Sequence, residues 1–97
     1  MSLALKTNVK GYQPGDIRNV VSYALKSAAS QAHQRYEYYA DICTRFEQQY
    51  AMTSDEFVMN FDSGRLGDDQ EYFDWYAAKR GLDIWYKRLE ILSGISV

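Results

Sequence analysis

PGDIRNVVSYALKSAASQAHQRYEYYADICTRFEQQY, residues 14–50, is the stretch that decides the fold. After Gly15 it contains neither Gly nor Pro, the two residues that most readily end a helix. Leu25, Ala29, Ala32, Tyr36, Tyr39, Cys43, Phe46 and Tyr50 follow one another at alternating spacings of four and three, and Ile17 and Val21 extend the line backwards. That spacing places every one of them on a single helix face, the seam of a coiled-coil-like pairing. Pro14 suits a first helical turn, and Asp16 complements the positive end of the helix dipole. Ala24, Ala28, Ala29 and Ala32 are small enough to let another backbone come close, whereas the aromatic second half holds a partner further away. A helix over 14–50 is roughly 50 Å long at 1.5 Å per residue. A compact globule of this chain length has a radius of gyration near ~13 Å. The chain is therefore expected to be an elongated hairpin or an oligomer.

Working outward, Met52-Thr53-Ser54-Asp55-Glu56-Phe57 reads as a second helix start. Thr53 can cap the amide of Glu56 while Glu56 reaches back, and Met52 can touch Phe57 as a hydrophobic staple. The helix predicted over 53–63 is short, pairs Phe57 with Phe61, and is ended by Gly64 in a left-handed conformation. Gly67 and Asp68 open a third helix over 68–93, with Asp68 and Glu71 spaced as a capping box. Tyr72, Trp75, Ala78, Leu82, Trp85, Leu89 and Leu92 carry its apolar seam, and Phe73, Ala77, Ile84 and Ile91 form a flanking line. Gly81 weakens this helix by about 1 kcal/mol relative to Ala, or marks a close packing point or a slight kink. At the other end, residues 1–13 are an arm or a strand: Leu3, Leu5, Thr7 and Val9 alternate with Ala4, Lys6, Asn8 and Lys10. The expected architecture is all-α, a single domain over 1–97. It is a long antiparallel hairpin with a short helix in the connection, whose leftover apolar faces complete a four-helix bundle as a homodimer. The core and dimer seam expected from this pattern is Leu25, Ala29, Ala32, Tyr36, Tyr39, Phe46, Trp75, Leu82, Trp85 and Leu89.

Composition narrows the function. Ninety-seven residues suit one domain, and 11 Lys and Arg against 13 Asp and Glu give a net charge of -2. An acidic balance argues against a dedicated nucleic-acid binder, and Lys6 and Lys10 alone provide weak phosphate contact. The single Cys excludes an internal disulfide and fits a reducing compartment, so a cytoplasmic location is expected. No run of the ~20 apolar residues a membrane span needs is present.

The most conspicuous charge feature lies between Thr53 and Asp74. Asp55, Glu56, Asp62, Asp68, Asp69, Glu71 and Asp74 face Arg65 as the only base there. One reading is a divalent-metal site at Asp68, Asp69 and Asp74; another is complementation of two helix N-termini; a third is an acidic surface for a basic partner. The EF-hand loop spacing and the Glu-x-x-His signature of di-iron bundles are both missing from the sequence. His33 reads as an exposed helical residue, and Cys43, on the apolar seam, as a buried structural thiol. The nine Tyr and two Trp are better used in packing than in base stacking, which also needs a positive groove. Lys79, Arg80, Lys87 and Arg88 surround Asp83 and read as a solvated, salt-bridged face.

The pattern Phe57-x-x-x-Phe61-x-x-Gly64-x-Leu66-Gly67-Asp68-Asp69, followed by Tyr72-Phe73-x-Trp75, is similar to segments of small bacterial and archaeal helical proteins. Some of these are regarded as antitoxin-like partners of a neighbouring toxin. The resemblance covers the second half of the chain and implies a partner-neutralising role without catalytic residues. The long first helix departs from the ribbon-helix-helix antitoxins, which place a turn between two short helices. The function expected is a non-enzymatic protein-interaction module: a homodimer that uses no cofactor and binds a protein partner through its acidic linker region, at Phe61, Leu66, Asp68, Asp69 and Asp74, or through its N-terminal arm. The alternative is a small metal-dependent helical-bundle enzyme or ligand-binding protein using Asp68, Asp69 or Glu71.

Overall fold

The computed structural model describes residues 6–97. Its elements are α1 (Pro14–Tyr50), α2 (Ser54–Asp62) and α3 (Gln70–Ser93). α1 and α3 pack side by side as the hairpin, and α2 closes one end of it. The molecule measures 61 × 21 × 21 Å, with a radius of gyration of 19.3 Å. It is the elongated shape that an uninterrupted α1 requires.

Each helix begins and ends for a local reason. Pro14 opens α1 after an extended Gln13, whose carbonyl accepts from the amides of Asp16 and Ile17. α1 stops at Ala51, which takes a left-handed conformation (φ 51°). Thr53 Oγ1 then accepts the Glu56 amide at 3.1 Å and starts α2. Gly64, at φ 74°, turns the chain out of α2, and the Arg65 amide reaches back to the Asn60 carbonyl at 3.0 Å. The cap of α3 is Asp69 rather than Asp68: its carboxylate accepts the Glu71 amide at 2.9 Å. The expected box fails because the Glu71 side chain is held elsewhere, accepting from Gln49 Nε2 and from the Tyr50 hydroxyl.

The core lies where the three helices meet. Trp75 and Phe57 are fully buried and stack at 3.9 Å between ring centroids, 8° from parallel. Phe46 and Tyr50 of α1 stack on Trp75 at 5.6 Å. Cys43 and Ala78 complete the buried set, with Ile42, Val58 and Leu82 packed around it. All the seam residues expected from spacing are buried or half-buried within the single chain. Of the four alanines in the first half of α1, Ala32 is fully buried, Ala28 and Ala29 are half-buried, and Ala24 faces solvent.

α1 is longer than α3 and projects past it. The residues Leu92, Ile95 and Val97 lie beside Leu25 and Ala29, so among the described residues no helix stands opposite the first turns of α1. Val9 and Tyr12 of the arm, with Ile17, Val20 and Val21, line an apolar groove of about 420 Å³ there. Residues 6–10 have no regular secondary structure; the rest of the alternating segment, Leu3 to Leu5, lies outside the described residues.

Gly81 marks a close packing point. A Cβ built there would stand 2.7 Å from Cε1 and Cζ of the Tyr39 ring, well inside van der Waals contact. Overpacking of this kind costs about 1–3 kcal/mol, against the ~1 kcal/mol that Ala gains in helix propensity. Gly81→Ala is therefore expected to lower unfolding free energy by about 1 kcal/mol in urea titrations. In a Tyr39→Ala background the same substitution should raise stability, because the ring it meets is gone.

Candidate functional site

The acidic segment forms the closed end of the hairpin, wrapped around the aromatic core. Two polar anchors hold it in place. The Trp75 indole N–H donates to Ser54 Oγ at 2.9 Å, and the Ser54 amide donates to Glu47 Oε2 at 2.7 Å, so α1, α2 and α3 are joined through one buried serine. Glu71 of α3 accepts from Gln49 Nε2 at 3.0 Å and from the Tyr50 hydroxyl, fastening the end of α1 to the start of α3.

The acids of this segment have different partners, and they do not converge. Asp55 pairs with Lys79 at 3.2 Å, and Lys79 also pairs with Asp83 at 2.7 Å. Burial opposes the charge of Lys79, yet its hydrogen bonds to Asp83 and Asp55 prevail and raise its pKa. Asp69 caps α3, and Asp74 accepts from Gln70 Nε2 at 3.2 Å. Asp62 and Asp68 are exposed, and no ion pair reaches either among the described residues. Among those residues no three of His, Cys, Asp or Glu stand together as a metal-ligand group. Asp68, Asp69 and Asp74 thus share an end of the molecule without forming a chelate.

The two apolar residues assigned to partner binding are half-buried and engaged in packing. Phe61 stacks on Tyr76 at 4.8 Å and meets Phe73 edge-on at 5.5 Å; Leu66 packs on the core cluster. Exposed apolar surface at this end comes instead from Met59, 73% accessible, and Phe73, 49% accessible. Spacing along α2 and α3 could not rank them, because exposure there depends on where the short helix lies.

The other reactive side chains have plain environments. Cys43 is buried, and burial pushes its thiol pKa up, which disfavours the nucleophilic thiolate. His33 is exposed, and its Nε2 lies 3.0 Å from Oε1 of Glu37, one turn on. No helix is long and apolar enough to cross a membrane among the described residues.

Tyr50 gives this end a measurable titration. Its hydrogen bond to the Glu71 carboxylate, then desolvation, pushes its pKa up from 10.0 to about 12. Because the folded pKa is the higher one, the stabilisation is fully present below pH 10 and is lost as pH rises towards 12. Tyr50→Phe is expected to flatten this alkaline loss of stability relative to wild type, measured by urea unfolding on either side of pH 10. An unchanged pH slope would show that the link contributes nothing to stability.

Comparison with family models, curated proteins and solved structures finds no match to this chain.

Proposed function

We propose that this chain is a non-enzymatic protein-interaction module that forms a homodimer and binds a protein partner with its acidic end. The observation that carries this reading is the exposed apolar surface that the hairpin leaves uncovered beside acids that no ion pair reaches among the described residues. Met59 and Phe73 are exposed at the end that also bears Asp62, Asp68 and Asp74. Apolar side chains rimmed by like charges suit a docking surface for a partner of opposite charge. Among the described residues every buried side-chain nitrogen and oxygen has a partner, and the one thiol is buried, so the polar network reads as structural support for that surface. The similarity of the second half to antitoxin-like helical proteins extends the proposal to a partner-neutralising role in the cytoplasm.

The test is co-purification of the tagged full-length chain from its native host, with light scattering on the product. The expected result is a stoichiometric second protein that is lost at high salt and lost again with Asp62→Lys plus Asp68→Lys. These residues are exposed, so the variant should keep its helical circular dichroism. A homodimer free of any companion would overturn the partner-binding part, and a companion retained by the Lys variant would move its site away from the acidic end.

A further inference from the structure

The seam that α1 offers to α3 continues beyond the point where α3 ends. Phe46 meets Trp75, Tyr36 meets Tyr86, and Leu92 and Ser93 lie beside Leu25 and Ala29, where the antiparallel pairing runs out. Between Pro14 and Leu25, α1 goes on for about three turns, or ~18 Å, with Ile17 and Val21 in the same line. At about 100° per residue, Ile17, Val20, Val21 and Ala24 share an arc of about 100° on the helix surface. Val9 and Tyr12 of the arm form the other wall of the groove of about 420 Å³ over this arc. Its apolar side chains meet water: Val9, Tyr12 and Val20 are 56%, 68% and 69% accessible.

We propose that this groove receives an acidic amphipathic helix of a partner protein, laid on α1 where α3 has ended. Charge selects the occupant. Residues 6–26 carry Lys6, Lys10, Arg18 and Lys26 against Asp16 as the single acid, a side-chain charge of +3 in a chain whose total is -2. The last turns of α3 add Lys87 and Arg88 against Glu90, so this end stays basic when they are counted. No ion pair reaches any of the five charges of 6–26 among the described residues. The molecule is 61 Å long, so the acids of its closed end lie several Debye lengths of ~8–10 Å away and leave this charge uncancelled. A second copy brought end to end by a two-fold axis would set +3 against +3, which like charges oppose.

Shape selects a helix. The arm and α1 are two walls that take a rod between them, whereas a lipid surface is flat. The row of Ile17 and Val21 also continues the spacing that already pairs with a helix further along α1. Lys6 and Asp16 both line the groove, and Arg18 stands about 60° beyond Val21 around α1. An occupant with apolar residues at i, i+3 or i+4 and i+7 meets the row with one face, and Glu or Asp on its flanks meet the bases. This inference does not depend on the acidic end, since the two ends carry opposite charge and take partners of opposite chemistry.

NMR titration of the isotope-labelled full chain tests it. The probe is a synthetic amphipathic peptide of Leu, Ala and Glu, about fifteen residues long so that it can form a helix. Amide shifts should be confined to residues 6–26 and the last turns of α3, and the same peptide with Lys for Glu should bind about tenfold more weakly. Lys6→Glu with Lys10→Glu and Arg18→Glu leaves one base against four acids in 6–26 and should invert that preference. These side chains are exposed, so helical circular dichroism should not change. Asp62→Lys with Asp68→Lys should leave the peptide's site unchanged, which separates a failure here from a failure of the acidic-end reading. A wild type that binds neither peptide, or both alike, overturns the proposal. Binding of phosphatidylserine vesicles without binding of the Glu peptide overturns it in favour of a lipid surface. Growth into open-ended oligomers that the triple reversal dissolves overturns it in favour of a second copy. Peptide binding gained only with Leu3→Asp and Leu5→Asp overturns it in favour of the chain's own first residues.

Discussion

Trp75 is the side chain on which the rest of the structure depends. It sits on α3, stacks with Phe57 of α2 at 3.9 Å, and takes Phe46 and Tyr50 of α1 at 5.6 Å. A buried indole needs a partner for its N–H as well as for its rings, and Ser54 Oγ provides one at 2.9 Å. Ser54 is in turn held by Glu47 through its amide. One residue therefore fixes the register of α1 on α3 and the place of α2 beside both. α2 is only nine residues long, and a helix that short owes its stability to packing.

Away from this end the hairpin is two helices wide, and its packing changes character. Gly81 lets the Tyr39 ring lie directly against α3, so a large residue on one helix meets the absence of a side chain on the other. Further along, Ala32 is fully buried, and Tyr36 meets Tyr86 at 5.6 Å. Arg35 and Arg88 lie over the Trp85 ring at 5.3 and 4.6 Å, so the edge of the seam is closed by guanidinium groups as well as by hydrocarbon. This end buries less, and it is also where α1 runs past α3 and the arm lies along its first turns.

The distribution of acids follows from the same geometry. Charge along the segment looks uniform in the sequence, but each carboxylate has a different setting once the helices meet. Glu71 links to α1, Asp69 caps its own helix, and Asp55 reaches Lys79. Dipole complementation thus accounts for part of the cluster and interhelical links for another part. Asp62 and Asp68 remain as exposed charge on the end of the molecule. The apolar surface beside them is that of Met59 and Phe73, because Phe61 and Leu66 turn into the packing.

By itself the sequence determined the helices and the face by which α1 meets α3. A 4-3 alternation unbroken by Gly or Pro admits one periodic structure, and caps such as Thr53 and stops such as Gly64 are chemical requirements of the local backbone. Those are short-range constraints, readable within a few residues. Only the tertiary structure decided which carboxylate caps α3, which aromatics are exposed, and that Gly81 is a contact with Tyr39. It also set the seam of α3 towards α1 and left its flanking line facing outward. These depend on the position of α2 and on the register of two helices, set by contacts between residues more than twenty positions apart, such as Trp75 with Ser54 and Tyr50 with Glu71. Periodicity along one helix carries no information about such pairs.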